Sequence, residues 1–214
     1  MDDRDRVRFI HNLYEFNDEE SVTNVLYRYR KNMAIAKPYI SGKAGEEKRN
    51  PRKLLVKAHA FNLLPNHYHL MLSPLKEGAV SLFMKKLNSG YAQYFNQKYE
   101  RTGTLFEGRF RRVLVKNQAH FIHLPYYINV VNTLDLLQPG WREEKQIEYK
   151  KAVKFLDSYR WSSHLDYCGK KNFPSVTQRE FLLEFFGGTD GYQKEIKTWL
   201  KELDLKAIKE LILE

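Results

Sequence analysis

The chain has 214 residues and carries 36 Lys and Arg against 26 Asp and Glu, a formal net charge of +10. With 43% apolar and 14% aromatic residues it can bury a full core and a small helical appendage, which excludes a disordered polymer. The positive excess is the footprint expected of a nucleic-acid partner, although a ribosome-bound or membrane-surface protein shares it.

The single cysteine, Cys168, excludes an internal disulfide and fits a reducing compartment. The opening Met1-Asp2-Asp3-Arg4 is too charged for a signal peptide, and no apolar run is long enough to span a bilayer. A soluble cytoplasmic protein, not a membrane one, is therefore expected.

Val7, Ile10, Leu13 and Tyr14 recur at helical spacing behind an acidic start, which predicts an amphipathic helix over residues 4–16. A second short helix is expected over 22–33. The segment 37–52, rich in Gly, Lys and Arg, reads as a basic loop, either a phosphate-contacting arm or a solvated insertion. Residues 53–64 are strand-like, and Pro65-Asn66 is a turn signal before a second strand over 67–73. Residues 79–99 put Val80, Phe83, Leu87, Tyr91, Tyr94 and Phe95 on one helical stripe, which predicts a core helix.

Arg101 to Asn117 reads RTGTLFEGRFRRVLVKN. Arg101, Arg109, Arg111, Arg112 and Lys116 interleave there with Phe106 and Phe110, and a short strand is expected to end near Val115. Cations between aromatics suit a single-stranded nucleic acid, where Arg meets phosphates and a ring stacks on a base. Plugging of the core by Phe106 and Phe110 is compatible with that reading.

Residues 118–137 are apolar at helical spacing, with Pro125 either kinking the helix or opening it. A Pro-Gly turn over 138–146, a helix over 148–156, an aromatic linker over 158–169 and two helices separated by Gly187-Gly188 complete the chain. This order suggests an α+β fold, a small antiparallel sheet with helices packed on one face. A complete split βαβ arrangement needs a strand before the first helix, and six residues hardly leave room for one.

The stretch Asn66-His67-Tyr68-His69-Leu70 stands out within this order. Alternation along a strand turns His67 and His69 to one face, where two imidazoles can converge on a metal ion. An isolated pair of this kind is more often two surface histidines. A nucleotide hydrolase of the HIT type also alternates histidines, but the next alternate position here is Met71.

NHYHLMLSP, YAQYFNQKY, RTGTLFEGRF, PYYI and YRWSSHLDY, in that order, resemble the tyrosine transposases of the HUH superfamily, most closely the REP-associated ones. The resemblance covers most of residues 50–170 and continues weakly at FLLEFFGG. It implies a ferredoxin-like core over 1–137 with a helical C-terminal extension over 138–214. It also implies metal-dependent nicking and rejoining of single-stranded or hairpin DNA by a monomer or homodimer. His67 and His69 would hold Mg²⁺ or Mn²⁺, and Tyr127, sixty residues after His67, would be the nucleophile.

A rival nucleophile and two departures accompany this resemblance, one of the departures being that the family's opening strand is not recognisable before the first helix. Tyr126 rivals Tyr127, and because helical neighbours diverge by about 100° only one of them can face the histidines. The family's third ligand, Asn or Gln, falls four residues after the tyrosine, which here is Val131. Asn132 lies five residues on, about 140° away on a regular helix. It can take the role if a π-bulge absorbs one residue, and His123 is a further candidate. Because Val131 departs from the pattern, a protein that binds hairpin DNA or RNA without cleaving it is the competing expectation.

Overall fold

The computed structural model describes residues 1–20, 52–116, 118–141 and 147–202. The helix expected over 22–33 and all but the last residue of the basic loop lie outside them. Helix α1 spans Asp3–Glu15. Asp2 caps it reciprocally: the Asp5 amide donates to Asp2 Oδ1 at 2.9 Å and the Asp2 amide donates to Asp5 Oδ2 at 2.8 Å. Phe9, Ile10 and Leu13 form its buried stripe, whereas Val7 faces outward at 40% exposure, so the inward face is turned from the one expected.

Strands β1 (Val56–Leu63) and β2 (Tyr68–Pro74) form an antiparallel hairpin in which Asn62 stands opposite His69 and Leu63 opposite Tyr68. A bulge between Ala58 and Ala60 shifts the alternation by one residue, so that Val56 before it and Phe61 after it face the same core. Helix α2 (Ala79–Lys98) follows, with Phe83, Leu87, Tyr91 and Tyr94 buried as the spacing predicted. Its far end grips α1, because Asp5, fully buried, accepts from Lys98 Nζ at 2.6 Å, Tyr99 Oη at 2.6 Å and Tyr94 Oη at 3.0 Å.

A long helical segment comes next: α3 (Gln118–Tyr126), a π-turn (Tyr127–Val131) and α4 (Asn132–Leu137). Pro125 lies inside α3, where it offers no N–H to the turn before it. Helices α5 (Tyr149–Ser158), α6 (His164–Tyr167), α7 (Glu180–Phe186) and α8 (Gly188–Glu202) complete the described chain. Gly187, at φ +73°, ends α7 in the left-handed conformation that favours glycine.

The sheet separates two cores. Phe61, Leu63, Tyr68 and Leu70 look into one, shared with α1 and α2. Ala60 and Met71 look into the other, shared with the π-turn and with Trp141, Leu156, Tyr167, Leu182 and Tyr192 of the C-terminal helices. Helices therefore cover both faces, not the single face expected. The reason is visible in β1, which is buried at every position except Lys57 and so needs cover on each side.

Among the described residues the sheet has two strands, and residues 110–116 form no third. The outer edge of β1 is instead satisfied by the stretch read as a linker. The Leu63 amide donates to the Trp161 carbonyl and the Ser163 amide to the Phe61 carbonyl, both at 2.9 Å. No helix among the described residues is long and apolar enough to cross a membrane.

Candidate active site

His69 lies on β2 and His67 immediately precedes it. Their rings meet edge to face with centroids 5.0 Å apart, so the alternation expected of H-x-H does bring both imidazoles together. His67 is exposed and His69 half-buried. His67 Nδ1 lies 2.7 Å from Asn66 Oδ1. An amide oxygen accepts, so this bond puts the proton on Nδ1 and leaves the Nε2 lone pair to act as a donor.

The phenol meets this pair from the other chain segment. Tyr127 opens the π-turn and packs its ring edge to face on His69, with centroids 5.7 Å apart. Tyr126 points elsewhere: its ring stacks on Trp199 at 6.2 Å and meets Phe186 at 5.7 Å. Burial there raises the Tyr126 hydroxyl pKa well above the ordinary tyrosine value. His123 lies on Tyr126's side, 6.3 Å from that ring, and Val131 is fully buried in the core. Tyr127 itself is 3% exposed, behind His69.

The π-turn changes the register that a regular helix would impose. The Asn132 amide donates to the Tyr127 carbonyl, five residues back. In such a turn residues i and i+5 bear the relation that i and i+4 have in an α-helix, so Asn132 and Tyr127 emerge on one side. The Ile128 carbonyl, which a regular turn would offer to the Asn132 amide, instead receives Asn62 Nδ2 at 2.7 Å.

Asn62 had no place among the sequence-derived candidates. Its signal was a carboxamide within the apolar strand run Ala60-Phe61-Asn62-Leu63, where an amide is kept only if its hydrogen bonds are met. Around it lies a buried polar layer. Asn62 Nδ2 also donates to Thr133 Oγ1 at 2.9 Å, and Thr133 Oγ1 donates to the Asn129 carbonyl at 3.1 Å. Ser163 Oγ donates to Asn129 Oδ1 at 2.7 Å, and Asn129 Nδ2 donates to Tyr192 Oη at 3.2 Å.

Arg101, Arg109, Arg111, Arg112 and Lys116 are all exposed on the irregular segment after α2. Arg101 lies over the Phe95 ring at 5.7 Å. Phe106 is turned inward, 6.0 Å from the Tyr68 ring, and Phe110 packs on the same core. The aromatics therefore anchor the loop while the cations face solvent.

No group of three or more His, Cys, Asp or Glu side chains gathers into a metal-binding cluster among the described residues. The potential donors that the structure brings together here are the two imidazoles of His67 and His69. Neither a curated protein nor a solved structure matches the chain. Residues 26–130, which include both strands, α2, α3 and Tyr127, match the family model described as transposase IS200 like.

Proposed function

We propose that this protein nicks and rejoins single-stranded DNA beside hairpins, as the resemblance to REP-associated tyrosine transposases implies, with Tyr127 as nucleophile. The observation that carries the reading is the meeting of Tyr127 with His69 at 5.7 Å and of His69 with His67 at 5.0 Å. Two segments sixty residues apart converge there, and the family match spans both.

His67, His69 and Asn132 would hold a divalent ion. Such an ion, when bound, neutralises the phosphate and stabilises charge in the transition state. The Tyr127 oxygen attacks phosphorus, a phosphotyrosine bond forms, and the P–O3′ bond breaks. The proton leaving the phenol passes through water to the departing 3′ oxygen. One phosphodiester replaces another, so the reverse attack by a 3′-hydroxyl rejoins strands without ATP. Arg101, Arg109, Arg111, Arg112 and Lys116 would hold the strand's phosphates, and Asn66 fixes the His67 tautomer.

The test is incubation of labelled hairpin DNA with Mn²⁺ or Mg²⁺ and detection of an adduct that survives denaturation. Wild type is expected to give the adduct and Tyr127→Phe none. Equal adduct from both would remove Tyr127 from the role.

One observation favours a second reading, a hairpin DNA- or RNA-binding protein that does not cleave. Tyr127 is 3% exposed, and a nucleophile has to reach phosphorus. This reading predicts salt-sensitive binding with no adduct under any divalent ion.

A further inference from the structure

The π-turn inserts a residue between the tyrosine and the amide that share its face, and such an insertion is stable only if something holds it. Asn62 faces it from the sheet. It stands directly opposite His69 in the strand register, so both side chains leave the same face of the hairpin. Asn62 is 0% exposed, and its Nδ2 donates across the turn to the Ile128 carbonyl at 2.7 Å and to Thr133 Oγ1 at 2.9 Å. The carbonyl can only accept, which fixes the orientation of the amide. Its own Oδ1 is buried without a hydrogen-bond partner among the described residues, so the amide is kept at a cost for what its nitrogen does.

The clasp extends beyond the matched segment. Asn129, in the middle of the turn, is held by Ser163 Oγ at 2.7 Å and by Tyr192 Oη at 3.2 Å. Ser163 is itself tied to β1, since the Phe61 amide donates to Ser163 Oγ at 3.1 Å. One strand thus carries the histidine face and, through Asn62 and Ser163, the register of the helix facing it.

We propose that Asn62 is a positioning residue: by clasping Ile128 and Thr133 it locks the π-turn in the register that brings Asn132 to the side of Tyr127 and the histidines. The inference rests on the metal site proposed above for its consequence in catalysis, and on the turn alone for its consequence in structure. Deleting Val131 removes the inserted residue. It would leave the amide four residues after Tyr127 on a regular helix, where no clasp is required.

The experiment compares wild type, Asn62→Leu, the Val131 deletion and the two combined, with Thr133→Val as a milder variant should Asn62→Leu fail to fold. Two quantities are read: amide hydrogen exchange across residues 127–133, and the Mn²⁺ concentration that half-broadens the His67 and His69 ring resonances. Asn62→Leu is expected to speed exchange within the turn, leave α1 and α2 unchanged, and raise the Mn²⁺ concentration about tenfold, as loss of an outer-sphere support does. Thr133→Val should move both in the same direction by less. In the Val131-deleted chain the same Asn62 substitution should change neither.

Unchanged exchange in Asn62→Leu and Thr133→Val would overturn the inference. So would an equal loss with and without the deletion, since Asn62 would then be acting as ordinary packing. If wild type neither takes up Mn²⁺ nor forms the adduct, the proposed function falls, and the exchange readout alone decides the clasp.

Discussion

The two faces of the β1–β2 hairpin are built from alternate positions of the same two strands and do opposite things. Toward α1 and α2 the face is apolar and aromatic, with Phe61, Leu63, Leu70 and Tyr68 packed on Phe9, Phe83 and Leu87. Toward the π-turn it carries His67, His69 and Asn62 beside only a few apolar side chains such as Ala60 and Met71. Close packing on one side leaves the other free to hold buried polar groups whose hydrogen bonds fix a geometry and contribute little net stability. The apolar face should therefore govern stability, and the polar face register and chemistry.

The largest effect that sharpens this contrast is a truncation on the apolar side. Phe83 is fully buried, so Phe83→Ala should cost about 3–5 kcal/mol from lost burial plus the cavity left behind. A urea midpoint lowered by that free energy divided by the m-value is the expected result. Tyr127→Phe, on the other face, should move the midpoint little while abolishing the adduct. A Tyr127→Phe protein destabilised as much as Phe83→Ala would erase the distinction between the faces.

Acid should act through the polar side. His164 donates to or accepts from Tyr192 Oη at 3.0 Å, and burial pushes its pKa down from 6.5 to about 4. The folded chain keeps it neutral, whereas the unfolded chain takes up a proton as pH falls through 6.5. Its contribution is thus complete above pH 6.5 and is lost progressively down to pH 4, a difference of about 3 kcal/mol. His59, also lowered by burial, acts in the same direction. Urea midpoints from pH 7 to 4 should fall for wild type and fall less steeply for His164→Gln.

An intermediate effect isolates a single hydrogen bond on the apolar side. Tyr68 Oη donates to Asn88 Oδ1 at 2.5 Å, and burial raises the phenol to about 12. Tyr68→Phe keeps the ring against Phe9 and should cost about 1 kcal/mol, with no change in Mn²⁺ dependence. A Mn²⁺ shift as large as that of Asn62→Leu would show that the faces are not separable.

Much of the fold was legible because its signals are periodic. The stripe Phe83, Leu87, Tyr91 and Tyr94 gave α2, and Pro65-Asn66 between two apolar runs gave the hairpin. The meeting of His69 with Tyr127 followed from alternation and from the resemblance, not from spacing alone. What local pattern does not carry is tertiary. Val7 has the right spacing for the inward face of α1, yet Phe9 takes that place because the helix is rotated by its contacts with Tyr68 and Tyr91. The aromatic linker gave no strand pattern, although it serves the backbone of β1 through Trp161 and Ser163. Asn62 stayed hidden because its partners lie more than sixty residues away, and only the assembled structure shows what one polar residue in an apolar strand holds.

The smallest effect lies on the exposed loop between α2 and α3. Arg109, Arg111, Arg112 and Lys116 face solvent, whereas Phe106 and Phe110 tie the loop to the apolar core. Replacing Arg111 and Arg112 by Ala should leave the unfolding free energy within about 0.5 kcal/mol of wild type, because nothing buried is disturbed. If each of these cations neutralises a phosphate, the double variant should lower the slope of log affinity against log salt by about 1.4 for a single strand. Binding of a labelled single strand between 50 and 300 mM salt, roughly the range in which such slopes are read, measures it. An unchanged slope would move the strand off this loop. Since the loop leads straight into α3 and so to Tyr127, the path of the strand across the protein would then have to run over the histidine side alone.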